Sequence, residues 1–489
     1  MRYQTTGDAY TKSILPVKNI PLRFISVLLA SATIALPRLA ADESDDIKAL
    51  RSQVDSLEQQ IRVIERKEEI KSEDAAAAAK AAPTVSFTDK GFVFASGDGA
   101  NSLHLGTLVQ LDSREFFGDG GGVQNNSFIL RRARIVIDGK LDKIYSFQFV
   151  PEFGNGSGGT ATAVAILDAN LTIAPTQAVQ FKFGKFKTPI GLEVLQSDSA
   201  TFFVERSLVS NLEPNRDLGA QVCGVIDGGF VNYSIGLFNG IPDALTSSGN
   251  SDFDNEKDVD GRLFLKPFVN DKDSFLQGLG FGVAGGLGRE KTTAAVTGGY
   301  KTAGQQTFFK YNSAVFADGD VWRISPQSYY CVGPFGVLAE YVVSTVNVRP
   351  SGPSTTAPKV QLENKAWAVT AGYVLTGESS SYDGITPAAP FNWDNGTWGA
   401  WQVVARYEDL KIDPNAFAGT GAAQLASPAT NAKEASAWGV GVNWYLTKAV
   451  RISQDFFDTH FKNAGLAAPT TQILQHNEKA LTTRVQLSF

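Results

Sequence analysis

The chain has 489 residues, of which 43% are hydrophobic, and its formal net charge is -6. A mean hydropathy near zero excludes a bundle of membrane helices, and the negative balance argues against nucleic acid as a partner. Glycine (47 residues) and phenylalanine (32 residues) are plentiful, which suits an all-β protein with tight turns. The two cysteines, Cys223 and Cys331, are too few for a disulfide framework, so we expect lone thiols.

Residues 1–41 are predicted to be a secretory signal peptide. A start with four basic residues precedes the apolar run ISVLLASATIAL at residues 25–36, and Ala40 and Ala41 are small residues suited to cleavage. The run has signal length and is too short to span a bilayer. The alternative is a buried helix, which such a start rarely forms.

Residues 42–71 carry apolar side chains three and four residues apart among mostly charged positions. This a/d spacing predicts an N-terminal helix that self-associates as a periplasmic coiled coil. The alternative is one amphipathic helix lying on the surface of the protein or of the membrane. The alanine-rich residues 72–84 are expected to be a linker that ends at proline. The heptad positions are Ile47, Leu50, Val54, Leu57, Ile61 and Ile64.

From residue 85 to residue 489, apolar and polar residues alternate over many short segments. In residues 335–343 and 438–446, for example, apolar side chains take every second position. No run of apolar residues is long enough for a membrane helix, and aromatic residues sit near the ends of the segments. We therefore predict an all-β fold over residues 85–489, a transmembrane antiparallel β-barrel of about sixteen strands.

The connections alternate in length, which also favours a membrane barrel over a soluble sandwich. Short connections at residues 141–143 and 447–448 contrast with long polar stretches at residues 244–258 and 377–397. Outer-membrane barrels have short periplasmic turns and long outer loops. Both long stretches are therefore expected to be outer loops.

Residues 187–217 form a long connection with an unusual composition. It is rich in apolar residues, including Ile190, Leu192, Phe202 and Phe203, although a long outer loop should be polar. We predict that it folds into the barrel, packs against the wall and narrows the channel. The alternative is an extracellular loop at a trimer contact.

The segment FILRRARIVIDG at residues 128–139 joins charge to a strand pattern. With period two, Arg132 and Arg134 share one face, and Arg131 lies on the other. In a barrel, the apolar face meets lipid and the arginines meet a wet lumen. Because adjacent Arg131 and Arg132 cannot both face inward in a regular strand, one of them is expected at the membrane rim, at a subunit contact or beside a bulge.

Several motifs together resemble the phosphate-selective outer-membrane porins, the porin O and P family. The resemblance covers residues 85–489 and implies a homotrimer of sixteen-stranded barrels in the Gram-negative outer membrane, each with a pore lined by basic residues for anions. The motifs are FILRRARI (128–135), GKFKTPIGLEVLQS (184–197), VERS (204–207), GVNWY (441–445) and the terminal Phe489.

The resemblance also implies part of a site. The paired arginines of the family match Arg131 and Arg132, its strand aspartate matches Asp168, and a serine of its inward loop matches Ser197. The chain departs from the family pattern at three positions, where two cations are lost and one is gained. These positions are Leu108 and Ser199, in place of a third arginine and a lysine, and Arg134, in place of a tyrosine.

Further basic residues are candidates for lining the pore on physical grounds. The planar guanidinium of arginine offers a fork to phosphate-like oxyanions, and a narrow passage strengthens the attraction. The alternative for each such residue is an ion pair with an acid on a neighbouring strand, for example Arg134 with Asp168. The additional candidates are Lys182, Lys185, Arg206 and Arg262.

Other patterns carry little chemistry. The acidic run in residues 252–260 could bind a divalent cation, but it does not complete an EF-hand loop, and a solvated loop is the better interpretation. The three histidines are far apart, and we find neither a nucleophile elbow nor a phosphate-binding loop. We expect no cofactor and no metal, and a channel rather than an enzyme. An outer-membrane hydrolase is the enzymatic alternative.

These observations predict a porin that lets small anions, such as phosphate or polyphosphate, diffuse passively through a basic-lined channel. Its partners would be these anions, outer-membrane lipid and two further copies of the chain. The first alternative is a weakly selective general porin. In the second, the barrel is mainly an anchor, and the coiled coil tethers the outer membrane to the cell wall, through peptidoglycan or another polymer.

Overall fold

The computed structural model describes residues 45–88, 91–117, 125–154, 164–245, 247, 252, 254–292, 296, 298–350, 357–464 and 477–489. The predicted signal peptide lies outside the described residues. The chain divides into two compact units, residues 1–76 and residues 77–489.

A single long helix, α1 (Asp45–Ala81), makes up the described part of the first unit and runs on into the second. Its apolar heptad side chains are 48% to 61% exposed. The helix continues through most of the segment expected to be a linker, because alanine is the best helix former and Pro83 follows only after Ala81. Among the described residues, no helix is long and apolar enough to cross a membrane.

Sixteen antiparallel strands of the described chain close into a barrel, which confirms the predicted fold class. Each strand from β3 to β11 and from β14 to β20 pairs with the next, and β20 pairs with β3 to close the ring. The hairpin of β1 and β2 pairs with the first residues of β3, and a second hairpin, β12 and β13, lies within a loop. The strands are β1 (Thr84–Thr88), β2 (Gly91–Ala95), β3 (Ser102–Phe117), β4 (Ser127–Leu141), β5 (Tyr145–Glu152), β6 (Ala165–Ile173), β7 (Gln180–Lys187), β8 (Arg216–Ile226), β9 (Val231–Phe238), β10 (Asp258–Leu265), β11 (Leu279–Lys291), β12 (Gly299–Lys301), β13 (Thr307–Lys310), β14 (Val315–Val332), β15 (Phe335–Pro350), β16 (Val360–Val374), β17 (Ala400–Lys411), β18 (Ala432–Tyr445), β19 (Val450–Asn463) and β20 (Glu478–Ser488).

The barrel wall is apolar outside and polar inside. On β16 and β18, Trp367, Val369 and Trp438 are among the exposed side chains. In contrast, Gln110 on β3 and Arg484 on β20 are completely buried. A soluble protein would bury the apolar face, so this inverted distribution is that of a barrel whose outer surface meets hydrocarbon.

The two ends of the barrel differ, and one long connection lies at the end opposite to the expected one. We call the end with the short connections, such as residues 333–334 and 446–449, the turn end. The 375–399 connection lies there too, since Ser380 N donates to Gly333 O at 2.8 Å and Phe391 N donates to Leu446 O at 2.6 Å. The prediction that residues 377–397 form an outer loop is therefore wrong. A polar loop suits solvent at either end of the barrel, so composition does not show at which end residues 377–397 lie. The number of strands that precede the loop decides this.

The segment between β7 and β8, residues 188–215, lies inside the barrel, and we call it the inward loop. Its backbone is held by wall side chains: Arg451 Nη1 donates to Thr201 O at 2.8 Å, and Asn443 Nδ2 donates to Phe202 O at 2.8 Å. Its apolar residues pack on the wall, with Phe203 5.1 Å from Phe457 between ring centroids. The short helical turns of the described chain are α2 (Leu192–Leu195) and the 3-10 turns Leu208–Asn211, Asp227–Gly229, Pro414–Phe417 and Gly421–Ala423.

The interior beyond the inward loop, toward the end opposite the turn end, is filled by an apolar cluster. Tyr300 and Phe309 of the β12–β13 hairpin are buried together with Val209 and Leu212 of the inward loop. Open space remains on the turn-end side of the inward loop, where a cavity is found.

Candidate functional site

A β-bulge brings the paired arginines to the same side of the wall. The register between β3 and β4 pairs Gln110 with Arg132 but Leu111 with Leu130, so Arg131 is the extra residue. Both guanidinium groups then contact the inward loop, and Leu130 turns outward and is 46% exposed. Under strict alternation Leu130 would share the face of Arg132, but the inserted residue reverses the faces beyond it.

Glu205 of the inward loop is the centre of one cluster of buried charges. Arg131 binds it through two hydrogen bonds, Nε to Oε1 at 2.7 Å and Nη2 to Oε2 at 3.0 Å. Arg114 of β3 and Arg484 of β20 each reach Glu205 Oε1 at 3.0 Å. Both of these arginines also contact Asp112, Arg484 through two bonds at 2.6 and 2.8 Å. Glu205 thus fastens the inward loop to three strands.

Asp198 is the centre of a second cluster on the same loop. Its carboxylate lies 2.6 Å from Arg206 Nη2 and 3.4 Å from Arg132 Nη2, and it also bonds Arg134 Nη1. Arg134 in turn contacts Glu152 at 2.6 Å. Burial alone would raise the pKa of the Asp198 carboxyl, but the three arginines hold that pKa well below its usual range. Within the described residues, the two clusters join six arginines to four carboxylates.

A cavity of about 1060 Å³ lies on the turn-end side of the inward loop, and we call it the vestibule. It extends from Ser197 and Asp198 of that loop to Lys448 and Phe489 at the turn end. Its described lining contains eight basic side chains and four aspartates. The basic ones are Arg134, Lys182, Lys187, Arg216, Arg262, Lys266, Lys448 and Arg451.

Five of these basic side chains form no ion pair with a carboxylate in the described part of the chain: Lys182, Lys187, Arg262, Lys266 and Arg451. The ammonium of Lys182 lies 4.7 Å from the ring centre of Phe186, and the guanidinium of Arg262 lies 4.3 Å from that of Phe264. Lys187 Nζ donates to the carbonyl of Gln196 at 2.8 Å. Such contacts orient a cation without neutralising it, so the vestibule keeps an excess of positive charge.

The candidates Asp168 and Lys185 differ from expectation. Asp168 lines the vestibule, but it pairs with Arg216 Nε at 3.1 Å and not with Arg134, since Glu152 and Asp198 lie nearer to that side chain. Lys185 is buried beside Asp217 and is absent from the vestibule lining.

The remaining residues that the sequence analysis singled out lie at or near the inward loop. Ser197 and Ser199 both line the vestibule, with their hydroxyl oxygens 2.9 Å apart, and Leu108 lines its wall. Arg206 is not part of that lining. It is held within the loop by Asp198 and by the carbonyl oxygens of Glu193 and Gln196.

Sequence reasoning missed the residues that neutralise the arginines. Arg484 lies on the polar face of the last strand, and nothing in the sequence links it to Glu205. Asp198 lies between two serines and carries no motif of its own. Among the described residues, no group of three or more histidine, cysteine, aspartate or glutamate side chains is placed to hold a metal ion. Cys223 and Cys331 are both free, as expected.

Comparison with known proteins decides the family. The family described as phosphate-selective porin O and P matches residues 104–489. The chain belongs to this family. A curated relative, Porin O of Pseudomonas aeruginosa, is 24% identical over 398 residues, which cover 75% of this chain and 84% of that protein. The chain is therefore an outer-membrane porin of Gram-negative type, a channel rather than an enzyme, and its turn end is the periplasmic end.

Solved structures of similar fold include a porin and an outer membrane protein. The anion-selective porin from Comamonas acidovorans is 11% identical, with a TM-score of 0.48, and the match covers 80% of this chain and all of that chain. In-vitro folded OmpT of Vibrio cholerae is 14% identical, with a TM-score of 0.48, and covers 80% of this chain and 98% of that chain.

Proposed function

We propose that this porin conducts small anions passively and prefers them to cations. The observation that carries this proposal is the vestibule, whose described lining holds eight basic side chains against four aspartates. A permeating anion gains Coulomb energy there, and a cation loses it. The family description, phosphate-selective porin, supports the same direction.

Two sets of charged side chains would have different roles in anion conduction. The arginines around Glu205 and Asp198 are largely neutralised, so they would mainly fix the inward loop and leave a small positive excess at the narrowest level. The unpaired cations Lys182, Arg262 and Lys266 would attract the anion in the vestibule. Conduction needs binding at several weak sites, because one tight site would hold the ion.

A weakly selective general porin remains the second candidate. Leu108 and Ser199 favour it, since both line the vestibule at positions where the family pattern has a cation. The two candidates differ in one measurable property. A phosphate-selective channel should lose chloride conductance when inorganic phosphate is added, and a general anion porin should lose little.

The test is the reversal potential of the purified porin in a planar bilayer under a KCl gradient. Replacing Arg262 with glutamine should shift the reversal potential toward the equilibrium potential of potassium, because this cation has no carboxylate partner in the described chain. The matched control is Lys365→Gln on the outer face, where the side chain is 46% exposed. If the Arg262 variant and the control give the same potential as the wild type, the vestibule does not set the selectivity.

We also propose that the chain forms homotrimers and that α1 self-associates in the periplasm with α1 of other copies. The apolar heptad side chains are about half exposed, and a single helix with such a narrow stripe is marginally stable alone. In a chain whose own cysteines are replaced by serine, Leu57→Cys should cross-link between copies on oxidation. Glu58→Cys, off the stripe, should cross-link far less, and equal cross-linking would contradict the coiled coil.

Deleting residues 42–82 separates the porin from a tethering role. If the helix only holds copies together, the truncated porin should conduct and the envelope should remain intact. Loss of envelope integrity with normal conductance would instead support a tether to the cell wall.

A further inference from the structure

We propose that the vestibule contains a binding subsite for aromatic carboxylate anions. The subsite is a stack of three aromatic rings flanked by two cations, and we call it the ring stack. It rests on the proposed anion pathway and adds the class of solute that the pathway holds best. Its residues, all of which line the vestibule, are Phe264, Tyr329, Tyr382, Arg262 and Lys266.

Three separate parts of the chain build the ring stack. The rings of Phe264 on β10 and Tyr329 on β14 are 5.3 Å apart between centroids, at an interplanar angle of 26°. Tyr382 of the 375–399 connection continues the stack, 5.1 Å from Tyr329 at 16°. These spacings lie in the range of favourable aromatic pairs. Tyr329 and Tyr382 are only half-buried, so part of the stack stays open to a ring that enters the vestibule.

Two cations flank the stack, each beside a different ring. The guanidinium of Arg262 lies over Phe264, and its Nε donates to Gln327 Oε1 at 2.9 Å. The ammonium of Lys266 lies 5.9 Å from the ring centre of Tyr329. Neither cation forms an ion pair with a carboxylate in the described chain, so the remaining donors of the Arg262 fork can bind an anion.

This combination fits a planar ring that carries a carboxylate. The ring would stack on the tyrosines while the carboxylate bonds Arg262, so both halves of the solute find a partner. Inorganic phosphate would use the cations alone. Leu108, Val136 and Val150 line the same vestibule and make part of its wall apolar, which lowers the cost of moving a ring out of water.

The competing explanation is that the rings only pack the 375–399 connection against the wall. Tyr382 does serve that purpose, because its hydroxyl donates to Leu192 O at 2.5 Å. A packing role predicts no preference between an aromatic acid and an aliphatic acid of the same size. The two explanations therefore give different results with matched solutes.

The test is block of the chloride current through the full-length porin in a planar bilayer. Benzoate and cyclohexanecarboxylate carry the same charge and nearly the same volume, and only benzoate has an aromatic face. Added from the periplasmic side, benzoate should reach half-block at a concentration about fivefold lower, the factor expected for one aromatic contact. Equal half-blocking concentrations would overturn the proposal.

Variants locate the effect. Tyr329→Leu and, as a second variant in case it fails to fold, Tyr382→Leu should abolish the preference for benzoate. Tyr382→Phe keeps the ring and should retain the preference. Tyr407→Leu removes a ring from the outer face of β17, where it is 49% exposed, and should retain it too. A preference that survives both leucine variants, or that is lost in Tyr407→Leu, would contradict the ring stack.

The proposed function and the subsite fail separately. If the wild-type porin shows no preference for chloride over potassium, the anion pathway is wrong, and the subsite falls with it. If the porin prefers chloride but the two acids block equally, only the subsite is overturned.

Discussion

The charge of Glu205 can be removed with almost no change of shape, and the structure gives the expected consequence. In Glu205→Gln, Arg131 loses its only ion pair among the described residues, because both of its carboxylate bonds go to Glu205. Arg114 and Arg484 keep Asp112 at 2.9 and 2.6 Å. The variant therefore leaves the positive charge of Arg131 without a carboxylate partner, among the described residues, at the level of the inward loop.

The size of the two effects follows from this geometry. Removing one partner of a buried ion pair costs about 3–5 kcal/mol of unfolding free energy. We expect the lower end, about 3 kcal/mol, because two arginines keep a partner and the Arg131 side chain is 18% exposed. For an ion that passes at roughly 5 Å in water, one unit charge contributes about 0.8 kcal/mol, or about fourfold in chloride occupancy.

Two measurements on the same protein check both effects. The reversal potential under a KCl gradient should shift toward the equilibrium potential of chloride. Urea unfolding should give a lower free energy of unfolding than that of the wild type. In the double variant Glu205→Gln with Arg131→Gln, the potential should return toward the wild-type value. Glu363→Gln, an exposed change on the outer face, is the matched control. A folded Glu205→Gln channel whose potential stays unchanged, or shifts toward potassium, would refute this reasoning.

Three further predictions concern the vestibule and the loops around it. Because the pKa of Asp198 lies well below its usual range, Asp198 stays ionised as the pH falls. The difference in ion selectivity between Asp198→Asn and the wild type should therefore be as large at about pH 4 as at neutral pH. A difference that vanishes at about pH 4 would contradict the low pKa. Lys182→Gln should shift the reversal potential toward potassium, whereas Lys185→Gln, which changes a residue outside the vestibule lining, should not. Deleting residues 380–388 should raise the single-channel conductance, since part of this segment lines the vestibule, and an unchanged conductance would show that it does not restrict the passage.

The wall of the barrel could be predicted from the sequence because alternation is a local property. The polar face of β20, with Arg484 and Gln486, follows directly from the spacing of Leu481, Val485 and Leu487. The composition of the inward loop is also a local property. Its apolar side chains predicted a loop that packs on a surface, because apolar side chains in a long loop need one.

The arrangement of charges could not be predicted, because it depends on contacts between distant parts of the chain. One inserted residue, Arg131, reverses the faces of β4, and the adjacent arginines left a bulge there as only one of three alternatives. The partner of Asp168 is Arg216, in a strand two positions further along the sheet. The side of the membrane on which residues 377–397 lie depends on the parity of the strand count, which an approximate count leaves open.

The central claim is that the basic vestibule makes the channel prefer anions, and the reversal potential of the wild-type porin tests it most directly. In a planar bilayer between concentrated and dilute KCl, we predict a potential whose sign reports chloride as the more permeant ion. A potential of the opposite sign, which reports potassium as the more permeant ion, would contradict the account.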